Sequence, residues 1–228
     1  MTSLLLAPEA TESTQTKKKA RAGFSATACA QIKLSRLATR APDSLFDLRT
    51  GYDGTEWKEE ALIVPQDAEP GFWFGYGGPG YALSDDGNVL AVAARNKNVG
   101  DVEQAGAVFV YRYDGVGTWN QEQIVTEDEP GRYVRLGYAV ALSGEYLVAG
   151  SPDHGPGLGL GYGSTRGALW FFRHDGTSWK QESKLQAIGG IGPVRLGTSV
   201  FASNGVVAAS AGFTDDAGEI FVGRLEAC

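Results

Sequence analysis

The sequence predicts an all-β fold of about three four-stranded antiparallel meanders, arranged as blades of a β-propeller. Three observations carry this expectation. The chain repeats with a period near sixty residues: Asp53-Gly54, Asp114-Gly115 and Asp175-Gly176 are each 61 residues apart, and Trp57, Trp119 and Trp179 follow at intervals of 62 and 60. A period of this length belongs to stacked or radially arranged units. The apolar runs within each repeat are short, rich in Val, Leu, Tyr, Phe and Trp, and bounded by Gly, Asp and Ser, which is the strand signature. They lack the 3.6-residue period of a helix. Tight links such as Ser143-Gly144, Ser203-Asn204-Gly205 and Asp175-Gly176 suit turns that need a positive φ. Four-stranded sheets repeated about an axis make a propeller.

The elements follow in order. Residues 1–43 form a basic segment without a strand pattern, and residues 44–228 hold the repeats. An orphan piece, 44–63, matches the third and fourth strands of a blade. The first full repeat, 72–125, runs through Ala82-Leu83-Ser84, Val89 to Ala94, Gly106 to Tyr113 and Trp119 to Val125. The middle repeat, 134–185, is the clearest, with LGYAVALS from Leu136, EYLVAG from Glu145, GALWFFRH from Gly167 and WKQESKL from Trp179. The last, 194–224, stops before a fourth strand. Blades stack face to face, so both faces of a strand are apolar, and the aligned Trp residues are expected to fill the gaps between blades.

These repeats resemble FG-GAP repeats, the units of the integrin α-subunit propeller and of many bacterial and algal surface proteins. Phe74-Gly75 matches the FG position, and Leu136-Gly137 and Leu196-Gly197 are its LG variant. Gly150-Ser151-Pro152 stands at GAP, Gly106 to Tyr111 and Gly167 to Phe172 match the third strand, and Trp179-Lys180-Gln181-Glu182 matches the fourth. Ala93-Ala94-Arg95 and Ser210-Ala211-Gly212 depart from GAP. The resemblance implies a binding or adhesion module for a protein or glycan partner, at the cell surface or outside the cell. Family members that hold calcium carry an Asp-rich loop between strands one and two. Here Ser84-Asp85-Asp86-Gly87-Asn88 has two carboxylates and reads as an ordinary Asp-Gly turn, while Ser143-Gly144-Glu145 and Ser203-Asn204-Gly205 are too short to wrap an ion. No cofactor or metal is therefore expected.

Propellers typically have four to eight blades, and this chain has about three when the N-terminal strands are counted as completing the last. The chain is read as a fragment of a longer protein, or as a homo-oligomer in which two copies complete a six-bladed ring, in preference to an open arc with exposed apolar faces.

Charge divides sharply along the chain. Residues 1–40 hold seven Lys or Arg against two Glu, whereas the whole chain is at −7. The repeats are therefore acidic, and nucleic acid is not an expected partner. The basic, Ser- and Ala-rich N-terminal segment has the composition of an organelle transit peptide. Glu9 and Glu12 speak against that reading, and a disordered basic tail is the simpler one. Organelle import, as a structural subunit of a larger assembly, stays open as the alternative, as does a propeller accompanying a larger enzyme. Leu4-Leu5-Leu6 is too short for a signal peptide, and no membrane span is expected. Cys29 and Cys228 do not staple a core.

No catalytic residues emerge from the sequence. His154 and His174 are the two histidines, and no neighbouring Cys, His or Glu completes a metal set around His154. His174, beside an Asp-Gly turn, reads as a surface residue. Gly155 to Gly163 lacks the Lys-Ser/Thr of a phosphate loop and reads as a flexible connection. Loop length is more informative. In a meander, the loops joining strands two and three share one end with the blade-to-blade links. Those loops are long here, and long loops on a rigid scaffold are where binding usually sits. Asp67, Glu69, Asp101, Glu103, Glu127, Asp128, Glu129, Asp153, His154, Asp215 and Asp216 fall at that end and are the candidate partner-binding residues. Arg95, Lys97, Arg132 and Arg166 are their counter-charges. The set reads either as a solvated acidic rim or as a docking face for a basic partner.

Overall fold

A computed structural model describes residues 46–48, 61–76, 79–155, 166–187, 194–214 and 217–225, all within one compact unit, Ile32–Cys228. Trp57, the segment 1–43, most of the Gly155–Gly163 loop, and Asp215 and Asp216 lie outside the described residues.

The described residues are all-β and contain no helix. Strands β1 (Phe46–Leu48) and β2 (Ala61–Ile63) pair antiparallel in a sheet of their own. The first blade is the four-stranded meander β3 (Tyr81–Leu83), β4 (Val89–Ala94), β5 (Ala107–Tyr113) and β6 (Trp119–Val125). The second is β7 (Ala139–Ser143), β8 (Tyr146–Ser151), β9 (Ala168–His174) and β10 (Trp179–Gln186). The third has three strands, β11 (Leu196–Ser203), β12 (Val206–Thr214) and β13 (Ala217–Arg224). These are propeller-like blades that do not close into a ring. One expectation changes. β1 and β2 do not complete the last blade: they pair with each other, and Ile63 packs with Phe72, Phe74, Leu90 and Val92 of the first blade.

Strand alternation explains the doubly apolar sequence. Successive side chains point to opposite faces, and here each face belongs to a different seam. In β4, Val89, Ala91 and Ala93 pack toward the second blade, while Leu90, Val92 and Ala94 pack toward Ile63 and Phe74. In β7, Val140 and Leu142 face the first blade, and Ala139 and Ala141 face the third. Trp170, Phe172 and Trp179 fill the seam between the first two blades, and of these Trp179 is the aligned Trp expected there. Trp119 packs partly buried against the cluster on the other side of its blade.

Two glycine positions set how closely blades approach. Gly106 bridges Leu136 in a parallel pair, as Gly167 does Leu196 one repeat later. Gly106 has φ +84°, and a Cβ there would stand 2.3 Å from the Leu136 carbonyl oxygen. The Leu-Gly signature is thus the point where each blade is tied to the one before.

Candidate functional site

The long-loop end is organised by one repeated backbone feature. The residue before each Phe-Gly or Leu-Gly pair adopts a left-handed conformation: Trp73 at φ 57°, Arg135 at 58° and Arg195 at 52°. Non-glycine residues rarely hold this conformation, and its threefold recurrence shows that the blade link requires it. At Arg135 and Arg195 it sends the side chain across the seam to the blade before.

At the second and third blades that side chain is arginine. Arg135 Nη1 donates to Asp153 Oδ2 at 3.1 Å, and Arg195 pairs with Asp153 Oδ1 at 3.0 Å. Gln104 Oε1 accepts from Arg135 Nε and Nη2 at 3.1 and 2.9 Å. Asp153 therefore ties two blade links together and is a structural anchor, with a side chain only 10% exposed.

Other candidates are likewise engaged inside the molecule. Asp67 Oδ2 accepts from Lys97 Nζ at 2.6 Å, and Glu103 Oε2 from Arg132 Nη2 at 2.5 Å. The Arg132 bond holds the Glu103 carboxyl below its usual range. Glu127 is buried, and its Oε1 accepts from Lys184 Nζ at 2.8 Å. Glu69, Asp101, Asp128 and Glu129 are exposed, and the Asp128 backbone N–H donates to Gln181 Oε1. The rim is thus less acidic in effect than its composition implies.

Glu127 and His154 come together around Trp170. Lys184 Nζ lies 4.7 Å from the Trp170 ring centroid, and the His154 ring meets the same indole edge to face at 5.1 Å. Glu127 Oε2, His154 Nδ1 and Trp170 Nε1 are buried without a hydrogen-bond partner. Burial, reinforced by the Lys184 charge and opposed by Glu127, lowers the His154 pKa and favours neutral imidazole.

A second polar cluster lies at the opposite end, where the short turns are. Arg112 forms a two-bond pair with Glu122, whose Oε1 also accepts from Trp179 Nε1 at 3.0 Å. His174 Nε2 stands 3.1 Å from the same oxygen. Burial pushes the Glu122 carboxyl up, but the bonds and charges of Arg112, with His174 and Trp179, carry it below its ordinary value. His174 is half-buried here, not the surface residue expected. Its Nδ1 accepts the Gly176 N–H at 3.2 Å, so Nε2 carries the proton donated to Glu122. A shallow groove of about 400 Å³ lined by Arg112, Asn120, Glu122 and His174 opens here.

The third cluster is one that charge-based reading of the sequence missed. At the first blade the left-handed residue is Trp73. It packs beside Tyr76 with ring centroids 5.0 Å apart and planes at 53°. The Arg95 guanidinium lies 4.6 Å from Trp73, 4.6 Å from Tyr138 and 5.8 Å from Tyr76. Trp73 is 38% exposed and Tyr76 52%. The signal in the sequence was the departure from GAP at Ala94-Arg95, together with two aromatics flanking Phe74-Gly75.

The Ser84–Asn88 turn is tightened by its own carboxylate. Asp86 Oδ1 accepts from Ser84 Oγ at 2.6 Å and from the Asn88 N–H at 3.0 Å. Among the described residues no group of three or more His, Cys, Asp or Glu is placed to hold a metal ion, and no helix is long and apolar enough to cross a membrane.

Neither a protein-family model nor a curated protein sequence matches the chain. Among solved structures it is similar to the crystal structure of Myxococcus xanthus glutaminyl cyclase, at 13% sequence identity and a TM-score of 0.37. That match covers 71% of this chain and 51% of the other, so the chain spans about half the length of that structure.

Proposed function

We propose that this chain is a binding module, without a catalytic role of its own, that recognises a protein or glycan partner through the long-loop end of its blades. The observation that supports the reading is the exposed Trp73–Tyr76 pair at that end. Exposing such rings forgoes burial that a core would reward, and Trp and Tyr concentrate at recognition surfaces because one end is apolar and the other wet. The acidic residues contribute less, since Asp67, Glu103, Glu127 and Asp153 already hold internal cations. The resemblance of the repeats to adhesion propellers points the same way.

The test is a ligand panel of immobilised glycans and peptides, probed with the full chain and with Trp73→Ala. A ligand retained by the full chain and lost at least tenfold in the variant supports the reading. Ligands retained equally by both place recognition elsewhere and sink it.

A further inference from the structure

We infer that the Arg95 cluster is a subsite for a carboxylate-bearing sugar, a uronic-acid residue within a glycan; the inference rests on reading the long-loop end as a binding surface. Arg95 is the unusual cation of that end. Lys97, Arg132, Arg135 and Lys184 each pair with a carboxylate. Among the described residues no carboxylate pairs with Arg95, and its Nε is buried with no hydrogen-bond partner. Acids are not scarce, for the chain carries a net charge of −7, and Glu69, Asp101, Asp128 and Glu129 stand exposed. The guanidinium keeps its charge at any physiological pH, and no carboxylate among the described residues neutralises it.

The surroundings define what fits. Trp73 and Tyr138 rings approach the guanidinium at equal distance, a stacking that stabilises a cation without consuming its N–H groups. With Nε buried, the terminal Nη1–Nη2 edge is the one left to meet a ligand; neither Nη donates a hydrogen bond among the described residues, and such an edge matches a carboxylate through two parallel bonds. Beside it, the exposed Trp73 and Tyr76 rings offer flat apolar surface. A pyranose presents axial C–H groups to such a ring, and a uronic acid carries its carboxylate at the ring's rim, so one residue satisfies both features. A long acidic peptide or nucleic acid would bring many charges to a chain that is itself negative. A single carboxylate per stacked ring meets one cation and adds little repulsion.

The experiment is calorimetric titration of the full chain with a glucuronate-substituted xylo-oligosaccharide and with the same oligosaccharide after reduction of its carboxyl to an alcohol. An acidic hexapeptide serves as a third titrant. The acidic sugar is expected to bind at least tenfold more tightly than the reduced one. Arg95→Gln should abolish that preference, and Tyr76→Ala, at a half-exposed position that tolerates truncation, should weaken both sugars. Circular dichroism melting confirms that each variant is folded. Equal affinity for the two sugars, with loss in Trp73→Ala, overturns the carboxylate assignment and leaves the binding-module reading standing. Arg95-dependent binding of the peptide instead of the sugar overturns the inference in favour of a protein partner. Failure of both sugars overturns it outright, and the wider reading is then decided by the panel above.

Discussion

His154 lies between a lysine and a glutamate, and burial decides its charge. Its pKa is lowered from 6.5 by desolvation first and by the Lys184 charge second, with Glu127 pulling the other way. The sign follows from linkage. A base with a depressed folded pKa binds its proton more readily when unfolded, so its contribution to stability is complete above about 6.5 and is lost as pH falls toward the folded value. Urea unfolding between pH 7.5 and 5 should show stability declining with acid, and His154→Gln should flatten that slope. An unchanged slope in the variant would remove His154 as the source. At this scale the sequence was legible for residue type and misleading for role. Glu127 and His154 stood out as loop groups at the binding end, yet one is buried on Lys184 and the other faces an indole. Arg95 read as a counter-charge because charge is visible in a sequence. Its stacking on Trp73 depends on a left-handed backbone turn that no composition reveals.

Between elements, the blade links carry energy that no single strand contains. Asp153 receives Arg135 and Arg195, and Arg195 is itself only 11% exposed. Removing the carboxylate leaves two guanidinium groups facing each other with part of their hydration gone. Asp153→Ala is expected to cost about 3 kcal/mol, the lower end for breaking a buried ion pair, since Arg135 remains partly solvated. Pairing the change with Arg195→Leu should restore part of the loss. Chemical denaturation measures both, and a cost within about 0.5 kcal/mol would class these pairs with weak surface bridges. Strand identity at this scale was readable. Gly106 to Tyr113 and Trp119 to Val125 appear as β5 and β6 nearly as their apolar runs and Gly-Asp boundaries indicate. Partnership was not. The pattern of 44–63 tells which strands of a blade it copies, but the path of the chain decides where they lie, and Ile63 joined the first blade.

At the scale of the whole molecule, the outer face of the third blade presents large apolar side chains to solvent. Phe201 and Val222 lie in one row across the sheet, each opposite Ala208, and are 66% and 71% exposed. Ile220, two residues along β13, is 74% exposed. The corresponding face of the second blade buries Ala141 and Leu169 beneath the third. A contiguous apolar face beside a strand, β13, that pairs on one side only among the described residues favours self-association, and a second copy of the chain supplies blades of the matching kind. Light scattering should give a mass above that of one 24.1 kDa chain, and the double change Ile220→Lys and Val222→Lys should return it to the monomer. A monomer in both cases would mean that the face tolerates water.

The two-sided strands carry one further consequence. Because odd and even residues of a strand such as β7 answer to different neighbours, each repeat holds both halves of the lock that joins it to the next. A duplicated copy of the middle repeat, spliced in after itself, would arrive with matching surfaces on either side. Growth by whole repeats is therefore an inexpensive evolutionary step for this architecture, whereas a single-residue insertion within β7 would turn every later side chain of that strand toward the wrong neighbour.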